Sequence, residues 1–249
     1  MKNVIMNEDC MVGLDLLDEK SVDCVLTDPP YGINYKSGWT DKFEKINNDE
    51  EIIDVELLFQ KLDRVTKDDS AFYIYVGIQT MDIFMHELKK IATLRNLIVV
   101  PRTQKGGNGS LKQSFSPQNE FMLFATKGNK QIEQTKILKP SLSYQKDKRK
   151  KAPEYITRLP DFWDFARAGV PNNLRDHPME KDISALSVAI QCSTKPGDLV
   201  LDVFSGTGST LITSKMLGRN YVGFETDKVH FQKAENKLRE VQLEIEISK

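Results

Sequence analysis

Residues 199–210 read LVLDVFSGTGST, and this stretch decides the fold. The apolar run Leu199–Phe204 predicts a strand, Ser205–Gly208 is rich in glycine, and Ser209–Leu217 has a helical pattern. Glycines permit unusual dihedrals and let a ligand approach the backbone closely, and the start of a helix offers backbone N–H groups. The stretch therefore predicts a strand, a binding turn and a helix in succession.

The next strand along the chain, Tyr221–Phe224, is followed by an acidic residue, Glu225. A carboxylate at the end of that strand can accept hydrogen bonds from both hydroxyls of a ribose. This half of the chain is therefore predicted to bind a nucleoside-like cofactor. The alternative is that Glu225 caps the helix that begins after Asp227.

Short apolar runs alternate with helical patterns elsewhere in the chain, which predicts a mainly parallel sheet with helices on both faces. The remaining predicted strands are Asn3–Met6, Val22–Thr27, Ala71–Val76, Asn96–Val100 and Phe121–Ala125. The remaining predicted helices are Leu14–Leu17, Asp54–Val65, Met81–Ala92, Ile183–Ser193 and Val229–Ile245. Two segments break the alternation: 32–51 is predicted to be a loop, and the proline-containing, basic segment 128–178 is predicted to be an insertion.

A second motif, Asp28–Tyr31 (DPPY), directly follows the predicted strand Val22–Thr27. Two prolines fix the backbone and leave their carbonyls as acceptors. Asp28 and the Pro29 carbonyl can each accept one hydrogen of an exocyclic amino group, and Tyr31 can stack on the ring that carries it. This pattern favours a site for a flat amino-substituted molecule over the alternative, a proline-rich turn with a capping aspartate.

The composition limits the class of protein. The 249 residues include 35 Lys and Arg and 36 Asp and Glu, a formal net charge of −1, which argues against a uniformly basic nucleic-acid coat protein. No apolar run approaches the roughly 18 residues that a membrane span needs, and no signal peptide is recognisable, so we expect a cytoplasmic protein. Cys10, Cys24 and Cys192 have no metal-ligand spacing, and no metal site is predicted.

Together the two motifs resemble those of the β-class DNA amino-methyltransferases, over nearly the whole chain. The resemblance implies a Rossmann-like methyltransferase sheet that is circularly permuted, with the catalytic half first, at 1–127. A target-recognition insertion at 128–176 and the cofactor half at 177–249 would follow. The cofactor would be S-adenosylmethionine, and the catalytic residues would be Asp28, Pro29, Pro30 and Tyr31.

The resemblance also implies a set of cofactor contacts. Asp9 would reach the adenine of the cofactor, and the His177–Lys181 stretch (HPMEK) would place His177 and Lys181 near its methionine carboxylate. The full set is Asp9, Cys10, Asp28, His177, Lys181, Asp202, Phe204, Ser205, Gly206, Thr207, Gly208 and Glu225. Besides Asp28 and Glu225, three of these have structural alternatives: Asp9 as a turn or helix N-cap residue, His177 as the end of an extended segment, and Lys181 as a solvated helix residue.

Basic residues are concentrated in the predicted insertion. Residues 127–158 contain ten basic and three acidic residues, a net charge of +7, so the rest of the chain carries −8. Such cations neutralise phosphates and set register on a nucleic acid, which favours DNA contact over a merely solvated loop. The predicted DNA-binding residues are Lys146, Lys148, Arg149, Lys150, Lys151 and Arg158.

In the resembled family, Asp before Pro-Pro-Tyr is typical of methylation at N6 of adenine, and Ser is more often found for N4 of cytosine. The resemblance thus implies direct in-line methyl transfer to a flipped-out adenine in double-stranded DNA. Methylation at C5 of cytosine is disfavoured, because no Cys follows a Pro. Cytosine N4, RNA adenine and a non-enzymatic DNA-binding subunit remain as alternatives. For the oligomeric state, a monomer and a homodimer both remain as alternatives. A role in restriction-modification, with a cognate restriction endonuclease as partner, also stays open.

Overall fold

A computed structural model describes residues 1–30, 53–101, 115, 117–133, 159–163 and 183–247, with side chains as far as residue 241. The strands are β1 (Val4–Met6), β2 (Val22–Thr27), β3 (Thr66–Val76), β4 (Thr93–Pro101), β5 (Asn119–Thr126), β6 (Leu199–Asp202) and β7 (Asn220–Phe224). The helices are α1 (Cys10–Asp15), α2 (Val55–Val65), α3 (Met81–Ile91), α4 (Ile183–Ser193), α5 (Ser209–Met216) and α6 (Lys228–Ile247).

The seven strands form one sheet in the order β1-β7-β6-β2-β3-β5-β4. All neighbours are parallel except for β5, which runs antiparallel to both β3 and β4. The chain moves outward from β6 to β7 on one side and from β2 to β3 on the other. The strand order therefore reverses between β6 and β2, and it is outside the carboxyl ends of such strands that open α/β sheets bind ligands.

Helices cover both faces of this sheet, as predicted, and alternate residues of β2 and β3 point into two different cores. On one face, Val25 and Phe72 belong to a core with α1, α2 and α3. On the other face, Leu26 and Tyr73 pack with α4. A third cluster lies between α5 and α6, around Leu211. The predicted α/β architecture, mainly parallel and covered on both sides, is confirmed.

The ends of several elements differ from the prediction for identifiable reasons. β3 begins at Thr66 and not at Ala71, because the polar start of the strand still pairs with β2 through Thr66 and Val22. α1 begins at Cys10, because the side chain of Asp9 accepts a hydrogen bond from the Met11 amide and caps the helix. Hydrophobic periodicity carries little information about either feature.

Two described parts of the predicted insertion, its start and residues 159–163, are attached to the rest of the fold. At its start, the Glu133 amide donates to the Cys192 carbonyl at the end of α4, at a distance of 2.7 Å. At 159–163 the chain runs beside β4, where Val99 and Phe162 form a parallel bridge. The Trp163 amide donates to the Val99 carbonyl at 2.8 Å, and the Trp163 side chain is buried. The segment thus runs towards the carboxyl edge of the sheet.

None of the helices in the described part of the chain is long and apolar enough to span a membrane. Across those same residues, His, Cys, Asp and Glu do not gather in groups of three or more that could hold a metal ion.

Candidate active site

Four acidic residues follow four neighbouring strands at the carboxyl edge of the sheet. In the order β1, β7, β6 and β2, the residues are Asp9, Glu225, Asp202 and Asp28. Neighbouring strands lie about 4.8 Å apart, so this row extends over roughly 14 Å. The topology therefore brings both sequence motifs to one edge, although about 170 residues separate them along the chain.

Asp202 organises the turn that follows β6. Its side chain is only 4% exposed, and its Oδ1 accepts hydrogen bonds from the Phe204 amide at 3.1 Å and from the Thr27 hydroxyl at 2.8 Å. The Ser205 hydroxyl donates to the Asp202 carbonyl at 3.1 Å. Burial raises the pKa of the Asp202 carboxyl to about 6, while hydrogen bonds from Thr27 and Thr210 act in the opposite direction.

Two glycines of this turn have left-handed backbone conformations. Gly206 has φ of +49° and Gly208 has φ of +86°. A Cβ on Gly208 would lie 2.8 Å from the Cβ of Ala234 in α6, whereas a Cβ on Gly206 would meet nothing within 4 Å. Gly208 is therefore needed for packing, and Gly206 keeps the outer side of the turn open to a ligand.

Glu225 ties the turn to the end of β7. Its carboxylate accepts hydrogen bonds from the Gly206 amide at 2.7 Å and from the Asp227 amide at 2.8 Å. The cap of α6 is Asp227, whose Oδ1 accepts from the His230 amide, so the alternative interpretation of Glu225 as the cap does not hold. A carboxylate has about four acceptor positions, and two backbone bonds leave capacity for ribose hydroxyls.

Asp9 and Cys10 have structural roles at the end of β1. Asp9 is exposed and caps α1 through a 2.7 Å bond from the Met11 amide, which agrees with the structural alternative for this residue. Cys10 is buried in the core beneath α1, and burial raises the pKa of its thiol to about 12. Any contact that these residues make with a cofactor remains a prediction.

In the catalytic motif, Asp28 is exposed, Pro29 is buried and Pro30 is partly buried. The last residue of that motif, Tyr31, lies outside the described residues, and so do the loop 32–51, His177 and Lys181. All six predicted DNA-binding residues are also outside them: Lys146, Lys148, Arg149, Lys150, Lys151 and Arg158.

The structure adds two residues that the sequence did not single out. Thr27, the last residue of β2, bonds to Asp202 across the point where the strand order reverses. Asn7 follows β1, and its side-chain amide donates to the carbonyls of Glu225 and Thr226 at 2.8 and 3.0 Å. The available signal was position, because each is a polar residue at the end of a strand that leads into a motif.

Comparison with known proteins identifies the family. The DNA methylase model for N6 and N4 methyltransferases matches residues 22–236, which is most of the chain. The protein belongs to the N6/N4 DNA methylase family. The match includes both β2 with its DPPY motif and β6 with its glycine-rich turn, so the resemblance to the DNA amino-methyltransferases is confirmed.

Two relatives and two solved structures illustrate the place of this DNA methylase in its family. It is 27% identical to the type II methyltransferase M.HinfI of Haemophilus influenzae, over 96% of this chain and 69% of the relative. It is 25% identical to the DNA adenine methyltransferase YhdJ of Escherichia coli strain K12, over 92% of this chain and 80% of that protein.

The solved structures show the same fold. The complex of M1.HpyAVI with SAM superposes with a TM-score of 0.58 at 21% identity, and 94% of this chain and 98% of the other are covered. The cytosine-N4-specific PvuII DNA methyltransferase superposes with a TM-score of 0.67 at 14% identity, covering 97% and 90%. The predicted Rossmann-like methyltransferase fold is therefore confirmed.

Proposed function

We propose that this DNA methylase transfers a methyl group from S-adenosylmethionine to the exocyclic N6 of adenine in double-stranded DNA. The observation that carries the proposal is the position of the DPPY motif. Asp28 follows β2 directly, and β2 is the neighbour of β6, whose glycine-rich turn opens at the same edge of the sheet. A carboxylate acceptor and the glycine-rich turn therefore lie at the carboxyl ends of adjacent strands, which supports a shared site.

The residues at this edge fit S-adenosylmethionine by their chemistry. Glu225 is partly exposed and keeps acceptor positions for a diol, and the open side of Gly206 permits close approach to the backbone. We infer that Asp9, Cys10, Asp202, Phe204, Ser205, Thr207 and Gly208 shape the remaining contacts, with His177 and Lys181 towards the methionine end. When bound, the cofactor supplies an electrophilic methyl group.

The protein's own contribution to catalysis is orientation and hydrogen bonding. The target base has to leave the stack, since its amino group cannot be reached inside a duplex. Asp28 and the Pro29 carbonyl would then each accept a hydrogen bond from the amino group. These two bonds would draw the nitrogen lone pair out of conjugation with the ring and direct it at the methyl group. Tyr31 would stack on the extruded ring. No covalent intermediate with the protein is required.

The basic segment would bind the DNA backbone. Its start is bonded to the end of α4, its 159–163 portion is bonded to β4, and 159–163 runs towards the carboxyl edge, where the acidic row lies. Lys146, Lys148, Arg149, Lys150, Lys151 and Arg158 would contact phosphates, which position a protein on the duplex without reading its sequence.

A second candidate is methylation of cytosine at N4. It is favoured by the likeness in fold to the cytosine-N4-specific PvuII enzyme. The chemistry at Asp28 would serve either base, because both carry an exocyclic amino group. Adenine is preferred because of the Asp in DPPY and because the relative YhdJ is named a DNA adenine methyltransferase.

One assay separates the candidates. Purified protein is incubated with tritiated S-adenosylmethionine and duplex DNA, single-stranded RNA or no nucleic acid, and the nucleosides of the product are then resolved by mass spectrometry. We expect N6-methyldeoxyadenosine from duplex DNA alone. A product with N4-methyldeoxycytidine would replace adenine by cytosine, and label in RNA alone would reject DNA as the acceptor.

A further inference from the structure

At the point where the strand order reverses, the carboxyl ends of β2 and β6 are joined by a buried hydrogen bond between two side chains. The Thr27 hydroxyl at the end of β2 donates to Asp202 Oδ1 at the end of β6, at a distance of 2.8 Å. Thr27 is 2% exposed and Asp202 is 4% exposed. The contact is therefore shielded from water. A hydrogen bond to a charged group is stronger in such a buried environment than it is in water.

On one side of this contact lies the catalytic motif. Thr27 is the residue immediately before Asp28, and its backbone belongs to β2, which pairs with β6 and β3. The backbone pairs of β2 and β6 are Cys24 with Val200 and Val25 with Leu201. The side-chain bond thus continues the connection between the two strands beyond the last backbone pair.

On the other side lies the glycine-rich turn. The same Oδ1 atom of Asp202 accepts a hydrogen bond from the Phe204 amide at 3.1 Å. Two residues further along, the Gly206 amide donates to the carboxylate of Glu225. Asp202 therefore fixes the first half of the turn, and Glu225 fixes its middle. A change in how Asp202 is held would alter the course of the backbone that is to contact the cofactor.

We propose that Thr27 is a positioning residue, which holds Asp202 and with it the cofactor turn in register with Asp28. It touches neither the cofactor nor the base in this proposal, and it acts only through Asp202. The inference rests on the proposed function for the location of the cofactor. It goes further, because it gives one hydroxyl the role of holding the cofactor turn in position relative to Asp28.

The order of the cofactor turn should depend on the pH, because Asp202 can be protonated. The ionised carboxylate is the better acceptor for Thr27, Thr210 and the Phe204 amide, so the turn should be ordered when Asp202 is charged. The charged group facing Asp202 from a neighbouring strand is Glu225, at the end of β7, and it favours the neutral form, as burial does. Cofactor affinity should therefore fall as the pH decreases through about 6.

The experiment measures binding and needs no methyl acceptor. Calorimetric titration with S-adenosylhomocysteine is performed between pH 5 and 8 on the wild type, Thr27→Val, Thr27→Ser and Asp202→Asn. The matched control is Thr66→Val, which also removes a buried hydroxyl, the one that donates to the Leu62 carbonyl at 2.7 Å at the start of β3. Hydrogen exchange of the peptide that contains residues 203–208 gives an independent readout of the turn.

We expect Thr27→Val to weaken binding by about tenfold at pH 7.5, to move the pH midpoint upward and to speed exchange of the turn. Thr27→Ser keeps the hydroxyl and should have the affinity, the pH midpoint and the exchange rate of the wild type. Thr66→Val should change none of these three quantities. Asp202→Asn should remove the pH dependence. If Thr27→Val does not fold, Thr27→Ala lacks the same hydroxyl and carries the same expectations.

Wild-type affinity, midpoint and exchange in a folded variant without the hydroxyl would overturn the proposal. So would an equal loss in Thr66→Val, because the effect would then be one of general stability. Since the ligand binds without DNA, the result is independent of whether adenine is the acceptor. If the Thr27 variants weaken ligand binding as expected but the wild type methylates no nucleic acid, the proposed function is rejected and the role of Thr27 is not.

Discussion

Thr27 and Asp202 lie 175 positions apart in the chain, yet a 2.8 Å hydrogen bond joins their side chains in the interior of the protein. It connects the ends of β2 and β6, the two strands that carry the motifs of a DNA methylase. The order of the two motifs along the chain makes this connection informative. The motifs come from opposite ends of the sequence, and the neighbouring strands β2 and β6 bring them to one edge of the sheet.

Asp28→Ala should abolish methylation and leave most of the cofactor affinity. The variant removes the carboxylate that is to accept an amino hydrogen of the base, and loss of one such oriented group costs about a hundredfold or more in kcat. Single-turnover methylation and calorimetry with S-adenosylhomocysteine measure the two quantities. Asp18→Ala, at an exposed aspartate, is the control. Turnover near that of the wild type would reject Asp28 as a catalytic residue.

Glu225→Ala should act mainly on cofactor binding. The variant loses a partner of the Gly206 amide as well as the proposed acceptor for the ribose, so the dissociation constant should rise by about tenfold or more. Glu240→Ala removes an exposed carboxylate from α6 and should have no effect. An unchanged dissociation constant for Glu225→Ala in calorimetry would eliminate the role of Glu225 in binding.

Gly206→Ala and Gly197→Ala form a matched pair. Both glycines have positive φ, +49° and +88°, and a Cβ on either would meet no atom within 4 Å. Each variant should therefore lose about 1 kcal/mol of stability from backbone strain alone. Only Gly206→Ala should also weaken cofactor binding, because only that Cβ would project from the proposed binding turn. Equal affinities in the two variants would show that the ligand does not approach Gly206.

The pKa of Asp202 predicts a pH effect on stability. Its folded-state pKa of about 6 lies above the ordinary value of 3.8, so the folded state binds the proton more tightly. The stabilising contribution is present below about pH 4 and is lost as the pH rises through 6, an effect of about 3 kcal/mol. Urea unfolding of the wild type and Asp202→Asn between pH 4 and 7.5 measures it. The difference between the two proteins should disappear at the acid end, and a constant difference would contradict the prediction.

Simultaneous substitution of Lys148, Arg149, Lys150 and Lys151 by Ala should reduce DNA affinity equally for all sequences. Each lost phosphate contact should lower the slope of log affinity against log salt by about 0.9. Fluorescence anisotropy with labelled duplexes at several salt concentrations checks both. Lys228→Ala and Lys233→Ala, in an exposed part of α6, provide the control. An unchanged salt slope would show that the basic run does not contact DNA.

The sequence predicted much of the fold, because buried parallel strands produce apolar runs that end in recognisable motifs. Strand order places Asp28, Asp202 and Glu225 at one edge of the sheet, and their joint role in a site stays a prediction. Thr27 could not be predicted as a partner of Asp202, since a threonine ending a strand has many possible donors and acceptors. The cap formed by Asp227 was also assigned only by geometry, because Glu225 and Asp227 are both acidic and adjacent to the start of α6.

The bridge between Val99 and Phe162 has a consequence for behaviour at high concentration. β4 is an outer strand of the sheet, and the amide and carbonyl of Val99 are already bonded to 161–163. At the other margin, β1 has only three residues. The backbone of Val99 is therefore not available for strand addition by a second molecule, and a three-residue edge offers little backbone to pair with. Short or covered edges of this kind are how natural sheets resist aggregation.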